Sequence, residues 1–406
     1  MSTFAEDKAD HLGRQGPKWG IHMSRASAED LFAKYIRKEI AQFTDLNRGY
    51  NNRLYFVITT DSMEYVLKIS GRYWNGVKTK NEIASLQLVT AFSSIPVPRV
   101  VVWSSDKSEY GVEYIVMEKM DGIPLGDIWE YLTLTQAKEC IKQLAGIIVE
   151  MKTKISIELK QRRLLEQIGN FGFEGGRDSL DMVRVGKTLD LLGPWISYKE
   201  YMRELLNQEI EIMQSDAIYV SLRELLPRIK SFIALTLNKP ELELVVNDYV
   251  FTHGDLNLSN ILVNYTHHNT SDILHKVQVS EVILKPISDS TLNITSILDW
   301  EWCGSFPAQD EYLSSYDFLS SEHSSNLTSV ELVELSECFY SALEEGGVAT
   351  PRTIPNYDIL RDILEMKDAI APWYLRDLDD PTSKSTQDML VQCKKEIVNL
   401  LEKYHC

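Results

Sequence analysis

Residues 251–263 read F-T-H-G-D-L-N-L-S-N-I-L-V, which puts His253, Asp255 and Asn260 in the order H-x-D-x-x-x-x-N ahead of an apolar run. Phosphoryl transfer needs little covalent help; it needs an in-line hydroxyl and metal ions fixed between phosphate oxygens. A carboxylate can take the proton of the attacking hydroxyl, and an amide five residues on can reach back to hold magnesium. The same residue types also favour plain turns, so the loop gains its meaning from the rest of the chain. Residues 297–301, I-L-D-W-E, supply it by offering Asp299 as a second magnesium ligand. Together the two segments imply a phosphotransferase.

Upstream parts fall in the order this chemistry requires. In residues 63–69, M-E-Y-V-L-K-I, alternation predicts a strand with Met63, Tyr65, Leu67 and Ile69 on one face and Val66 and Lys68 on the other. A lysine on the cleft face of such a strand can point at nucleotide phosphates. Glu82 lies in a segment of helical character, K-T-K-N-E-I-A-S-L-Q-L-V, whose inner face is Ile83, Leu86 and Val89 or Thr90; a glutamate there can hold Lys68. Before the strand, Gly49 and the pair Asn51-Asn52 read as a turn placed to lie over phosphates. This is not a G-x-G-x-x-G loop, and no A-P-E-like segment follows D-W-E, so a protein kinase is disfavoured.

These elements resemble the aminoglycoside phosphotransferase family, small-molecule kinases with a protein-kinase-like fold, in the style of its large fungal branch. The resemblance runs from about Phe43 to Tyr316 and rests on R-G-Y-N-N-R-L-Y, Y-V-L-K, the Glu82 helix, I-P-V-P-R-V, Y-I-V-M-E-K-M-D-G-I-P-L, L-G-P-W-I-S-Y-K-E-Y, the 251–263 loop and I-L-D-W-E-W-C-G-S-F-P. It implies an α+β, two-lobed fold: a small antiparallel-sheet N-lobe with one key helix and a larger, mainly helical C-lobe. It also implies Asp255 as catalytic base, His253 as a brace, Asn260 and Asp299 as Mg2+ ligands, and Lys68 on the phosphates of ATP or GTP with Glu82 as its partner. Gly49 and Asn51 would lie over the nucleotide, and residues 118–120, with Glu118 and Met120, would form the adenine-binding hinge. Acidic residues gather where the family's acceptor site would lie, giving Glu301, Asp310 and Glu311 as substrate residues, with Asp317 and residues 377–380 beside them. One departure is plain: Asn260 and Asp299 are 39 positions apart, where the family has a shorter hairpin. Residues 264–296 read as an enlarged hairpin or inserted flap. His267 and His268 within it read as solvated rather than as metal ligands.

The expected organisation is a leader (1–24), a nucleotide-binding N-lobe (25–120) and a helical C-lobe (121–406) carrying the loop 251–263, the hairpin 264–296 and the metal segment 297–303. Ser27-Ala28-Glu29-Asp30 resembles a capping box opening a helix through Phe43. Residues 159–190 read as irregular and glycine-rich. Apolar faces at Ala137, Ile141, Leu144, Ala145, Ile148 and Met151, and at Leu390, Cys393, Ile397 and Leu400, predict long helices.

Composition is consistent with this. At 406 residues and 44% hydrophobic content the chain can bury a sizeable core. A formal net charge of −17 argues against nucleic-acid binding and suits a cationic acceptor as well as plain solubility. Five scattered cysteines form neither a disulfide framework nor a zinc site. Cys140, Cys338 and Cys393 read as core; Cys303 reads as open to thiol reagents. No apolar run is long enough to span a membrane, and the cytosol is the expected compartment. The expected partner is a small-molecule hydroxyl acceptor; oligomeric state is open. A nucleotide-binding pseudokinase or interaction module is the alternative, although Lys68, Glu82, Asp255, Asn260 and Asp299 are all in place.

Overall fold

The computed structural model describes residues 17–18, 20–46, 48–175, 178–240, 242, 249–267, 290–314, 316–320, 324, 326–372, 375 and 382–406. A short helix, α1 (Arg25–Leu31), opens the described chain. Its cap is Ser24, whose hydroxyl accepts from Ser27 N, one turn earlier than the expected box. The helix does not run through Phe43. A π-turn (Phe32–Ile36) ends at Arg37 in the left-handed region, and Phe43 lies in strand β1 (Ile40–Asp45) opposite Val57. There its ring stacks on Tyr55 at 4.6 Å. Cross-strand pairing has overridden the helical reading of this segment.

Strands β2 (Asn52–Thr59) and β3 (Glu64–Ser70), helix α2 (Val77–Phe92), and strands β4 (Val100–Ser104) and β5 (Tyr114–Glu118) complete the small lobe. The sheet is antiparallel throughout, in the order β1-β2-β3-β5-β4. On β3, Tyr65, Leu67 and Ile69 are buried in the lobe's own core, as alternation predicts. Met63 falls outside the strand and is 43% exposed. Helix α2 is enclosed on nearly every side, with Ile83, Leu86 and Val89 buried among polar residues that are buried as well. Thr90 faces out. A helix clasped between a sheet and a second lobe keeps too little solvent face for periodicity to reveal.

From β5 the chain passes residues 119–122 into β6 (Ile123–Pro124), which pairs with β10 (Ile261–His267). The larger lobe is built on α3 (Leu134–Glu150), α4 (Ser156–Gln161), α5 (Tyr198–Ser215), α6 (Leu226–Thr236), α7 (Ala308–Ser314), α8 (Ser329–Glu345), α9 (Tyr357–Ile370) and α10 (Lys384–Lys403). The predicted faces of α3 and α10 are buried in one core that spans the lobe. A four-stranded sheet runs β8-β7-β12-β9, from β7 (Gly169–Phe173), β8 (Val183–Val185), β9 (Tyr249–Thr252) and β12 (Gly304–Pro307). So the glycine-rich 159–190 stretch contains a hairpin. Glycines hide it from a strand pattern, yet at Gly169 any Cβ would collide with the Gly186 carbonyl.

Strand β11 (Ser290–Ile297) pairs antiparallel with β10, from Ile261↔Ile297 to His267↔Ser290. That ladder carries the two ends of the 264–296 segment. The His268 site, the middle of the segment and residues 377–380 lie outside the described residues, as does the His267 side chain. Among the described residues, no helix is long and apolar enough to cross a membrane.

Candidate active site

The loop between β9 and β10 is built from the inside out. His253 is fully buried. Asp255 N donates to its Nδ1 (3.3 Å), so Nε2 carries the proton and donates to the Leu298 carbonyl (3.0 Å). Burial pushes its pKa down to about 4, which keeps it neutral. The ring packs on Trp300 at 4.6 Å. Gly254 has φ +81°, and a Cβ there would come within 2.6 Å of the Trp302 carbonyl, so no other residue fits. His253 therefore braces two segments at once and touches no open space.

Asp255 accepts from Asn257 Nδ2 at 2.9 Å and from Asn260 Nδ2 at 3.1 Å. Asn260 also donates to the Asp255 carbonyl (2.8 Å) while its own carbonyl accepts from Leu298 N (2.8 Å). Burial, followed by the nearby Asp299 charge, raises the Asp255 pKa to about 7; the two asparagine bonds oppose the rise. Asp299 sits at φ +62°, ψ 60°, a left-handed conformation uncommon outside glycine. Such a site turns the carboxylate back toward the lobe seam. Thus Asp255, Asn260 and Asp299 meet on two short segments bonded to each other.

Across the seam lies Lys68. Its ammonium is 2.7 Å from Glu82, 2.7 Å from Asp299 and 3.0 Å from Glu301. Burial works to lower its pKa, but three carboxylates prevail and hold it well above the ordinary value. Burial raises Glu82 to about 7, against the pull of Lys68. Glu82, Asp299 and Glu301 could by themselves enclose a cation; the Lys68 ammonium is the one they already hold. Asp299 and Asn260 offer oxygen donors of the hard kind that magnesium takes.

The other predicted positions separate clearly. Gly49 is exposed at φ +78° in the β1–β2 turn. The Asn51 carbonyl accepts from Lys78 Nζ at 3.3 Å. Glu118 ends β5 with its side chain ion-paired to Arg99, and Met120 is half-buried just beyond. The three acidic substrate candidates are corrected by burial. Glu301 is 0% exposed and faces Lys68 and Asn52. Glu311 is 2% exposed, accepts from His253 N at 2.8 Å and pairs with Lys152. Both carboxylate oxygens of Asp310 are enclosed, with a Tyr201 hydrogen bond beside them. None of the three carboxylates is open to an acceptor, because each serves a contact inside the fold. Cys303, expected to be reachable, is 0% exposed, and burial pushes its thiol well up. Cys140 and Cys393 are core, while Cys338 is half-buried.

Sequence reasoning read Asn52 only as part of a turn over phosphates, and it missed Asn81 and Lys152. Asn52 donates to Glu301 Oε2 (2.7 Å). Asn81, next to Glu82, donates to the Glu301 carbonyl (2.6 Å) and accepts from Phe171 N (2.9 Å), tying α2 to two segments of the larger lobe. Lys152 lies in a π-turn (Met151–Ile155) and also donates to the Phe251 carbonyl at 2.9 Å. No local pattern marks it, since its partners are about 100 and 160 residues away.

A family profile described as "Phosphotransferase enzyme family" matches residues 42–270. That is more than half of the chain, which belongs to this family. A subtelomeric hrmA-associated cluster protein of Aspergillus fumigatus is 35% identical over 78 residues, 19% of this chain and 14% of that protein. The match therefore spans a small part of that relative. Among solved structures, a Ralstonia eutropha protein described as a candidate aminoglycoside phosphotransferase superposes with a TM-score of 0.57 at 12% identity, over 94% of this chain and 98% of its own. A thermostable mutant of aminoglycoside phosphotransferase APH(4)-Ia, in complex with AMP-PNP and hygromycin B, gives 0.51 at 12% identity over 93% and 98%. An aminoglycoside phosphotransferase with GDP and kanamycin gives 0.50 at 15% over 94% and 98%. These likenesses establish the fold: two lobes, kinase-like, with an antiparallel sheet in the small one.

Proposed function

We propose that this chain transfers the γ-phosphoryl group of ATP or GTP to a hydroxyl of a small molecule. The observation that carries this is the convergence of Asp255, Asn260 and Asp299 with the Lys68–Glu82 pair across the lobe seam. The N-lobe (25–120) binds the nucleotide, with Lys68 on its phosphates, the Gly49–Asn51 turn above them and residues 118–120 against the base. Asn260 and Asp299 would hold Mg2+, which when bound neutralises the charge that develops on the transferred group. Asp255 orients the acceptor hydroxyl and takes its proton, and its asparagine bonds fix the carboxylate for that task. His253 holds the loop against Leu298 so that base and metal ligands keep their spacing. Family membership supports phosphotransfer as such. Neighbouring structures hold ADP, AMP-PNP or GDP, which supports a purine nucleotide as donor. The acceptor class we favour is a cationic amine bearing a hydroxyl, given the chain's net charge of −17.

The test is calorimetric titration of ATP and GTP with and without magnesium, followed by measuring ADP or GDP release against amino alcohols, amines and sugars. Magnesium-dependent binding with acceptor-dependent release is the expected result. Absence of nucleotide binding overturns the reading; binding without release by any acceptor would favour a pseudokinase.

A further inference from the structure

A second lysine lies behind Lys68. Lys78 stands on the first turn of α2, one helical turn before Glu82, so both side chains project from the same face. It is 1% exposed. Its ammonium donates to the Asn51 carbonyl at 3.3 Å, lies 5.6 Å from the Trp74 ring centre, and is 4.0 Å from Glu301 Oε1. Gly71 makes room for that approach, because a Cβ there would collide with the Asn51 carbonyl. Glu301 is the group Lys78 faces. One of its oxygens, Oε2, is shared by Asn52 and Lys68; the other, Oε1, has no hydrogen bond and is fully enclosed. The closed pocket lined by Asn52, Lys68, Lys78, Glu82 and Glu301 joins the stem of the β1–β2 turn to the segment that carries Asp299.

The charges around this pocket decide its role. Lys68 faces three carboxylates, Glu82, Asp299 and Glu301. When Asp299 turns to a metal, two carboxylates remain against Lys68. Counted at formal charge, the buried group with Lys78 then has two cations and two anions; burial works to lower the Lys78 pKa and the Glu301 charge opposes that. Without it, one uncompensated negative charge sits where the phosphates arrive.

We propose that Lys78 is a positioning residue of the nucleotide site: it neutralises Glu301, leaving Lys68 free to hold phosphate, and anchors the turn above it. This rests on the kinase reading given above. The geometry also explains why a buried glutamate can stand two residues after a metal ligand without repelling the nucleotide.

The experiment compares Lys78→Met with the double variant Lys78→Met/Glu301→Gln, measuring Mg-ATP affinity by calorimetry and separating KM from kcat. One excess charge next to the phosphates, at an effective dielectric of about 20, should weaken Mg-ATP binding by at least about tenfold in the single variant. The loss should fall in the nucleotide KM, with kcat and the acceptor KM within about threefold of wild type. The double variant removes both charges and should recover affinity to within about threefold of wild type, a rescue that a purely structural lysine would not give. Wild-type affinity in the single variant, or a double variant as weak as the single, overturns the assignment. If the single variant does not fold, the double variant decides by the same threshold. A wild-type protein that binds no Mg-nucleotide overturns the kinase reading instead, before any variant is compared.

Discussion

Lys68 and Lys152 are both deeply buried, with side chains 8% and 6% exposed, and both face enclosed carboxylates. Their surroundings differ in one respect. Among the described residues Lys152 meets a single carboxylate, Glu311, and the pair also bonds to the Phe251 carbonyl, His253 N and the Tyr316 hydroxyl, all within one lobe. Each group has its match, as a buried pair requires if it is to hold structure. Lys68 meets three carboxylates drawn from both lobes, and one of them, Asp299, is 29% exposed. Even with Lys78 beside Glu301, two ammoniums face three carboxylates, so this cluster is not arranged for maximal stability. On the proposed reading, a ligand that takes Asp299 away would relieve that excess. Within the same molecule, then, a matched buried pair marks support and an over-supplied lysine marks the site.

The comparison can be broken or sharpened by substitution. The largest expected effect is on turnover and touches neither lysine. Asp255→Asn should lower kcat by about 10²–10⁴-fold while Mg-nucleotide affinity stays near wild type. Near-wild-type turnover would remove Asp255 from the base role.

Next comes stability. Lys152→Met leaves Glu311 buried without a cation and should cost about 3–5 kcal/mol in denaturant unfolding. Asp299→Asn relieves repulsion around Lys68, so it should weaken Mg-nucleotide binding yet leave stability unchanged or raise it by up to about 1 kcal/mol. Equal destabilisation by the two variants would erase the distinction between support and site.

The last effect is one of pH and concerns Asp310, which lies near Lys367, a lysine whose side chain is 29% exposed. Burial raises the Asp310 carboxyl to about 7, with the Tyr201 bond and Lys367 opposing. A carboxyl raised on folding contributes stability that is complete below its unfolded value, near 4, and is lost as pH climbs through 7. Between those limits the loss is at most about 1.4 kcal/mol per pH unit. Asp310→Asn should therefore flatten the fall in stability from pH 5 to pH 7, as measured by urea unfolding at each pH. An unchanged slope would mean that Asp310 ionises normally in the folded protein.

Much of the seam was legible beforehand, and the reason is geometric. His253, Asp255 and Asn260 lie within eight residues on a loop whose backbone brings them together, so their spacing alone carries the arrangement. Lys68 was readable because alternation on β3 fixes which face it takes. The acidic substrate residues were not, since a carboxylate's role depends on what encloses it. Glu301 and Glu311 look like surface acids in the sequence and are each used by a buried lysine in the fold. The β7–β8 hairpin was hidden by glycine, and the β1 strand by a helix-like start whose partner strand comes later in the chain.

What the sequence by itself determined is whatever depends on short spacing: the 251–263 loop, the D-W-E segment, the lysine strand, the long helices and the family they compose. Tertiary structure alone decided which charges meet. Side chains from β2, β3, α2 and the D-W-E segment converge on one enclosed pocket, and in a medium of low polarisability the partner within a few ångströms, rather than the neighbour in sequence, sets a group's charge and its role.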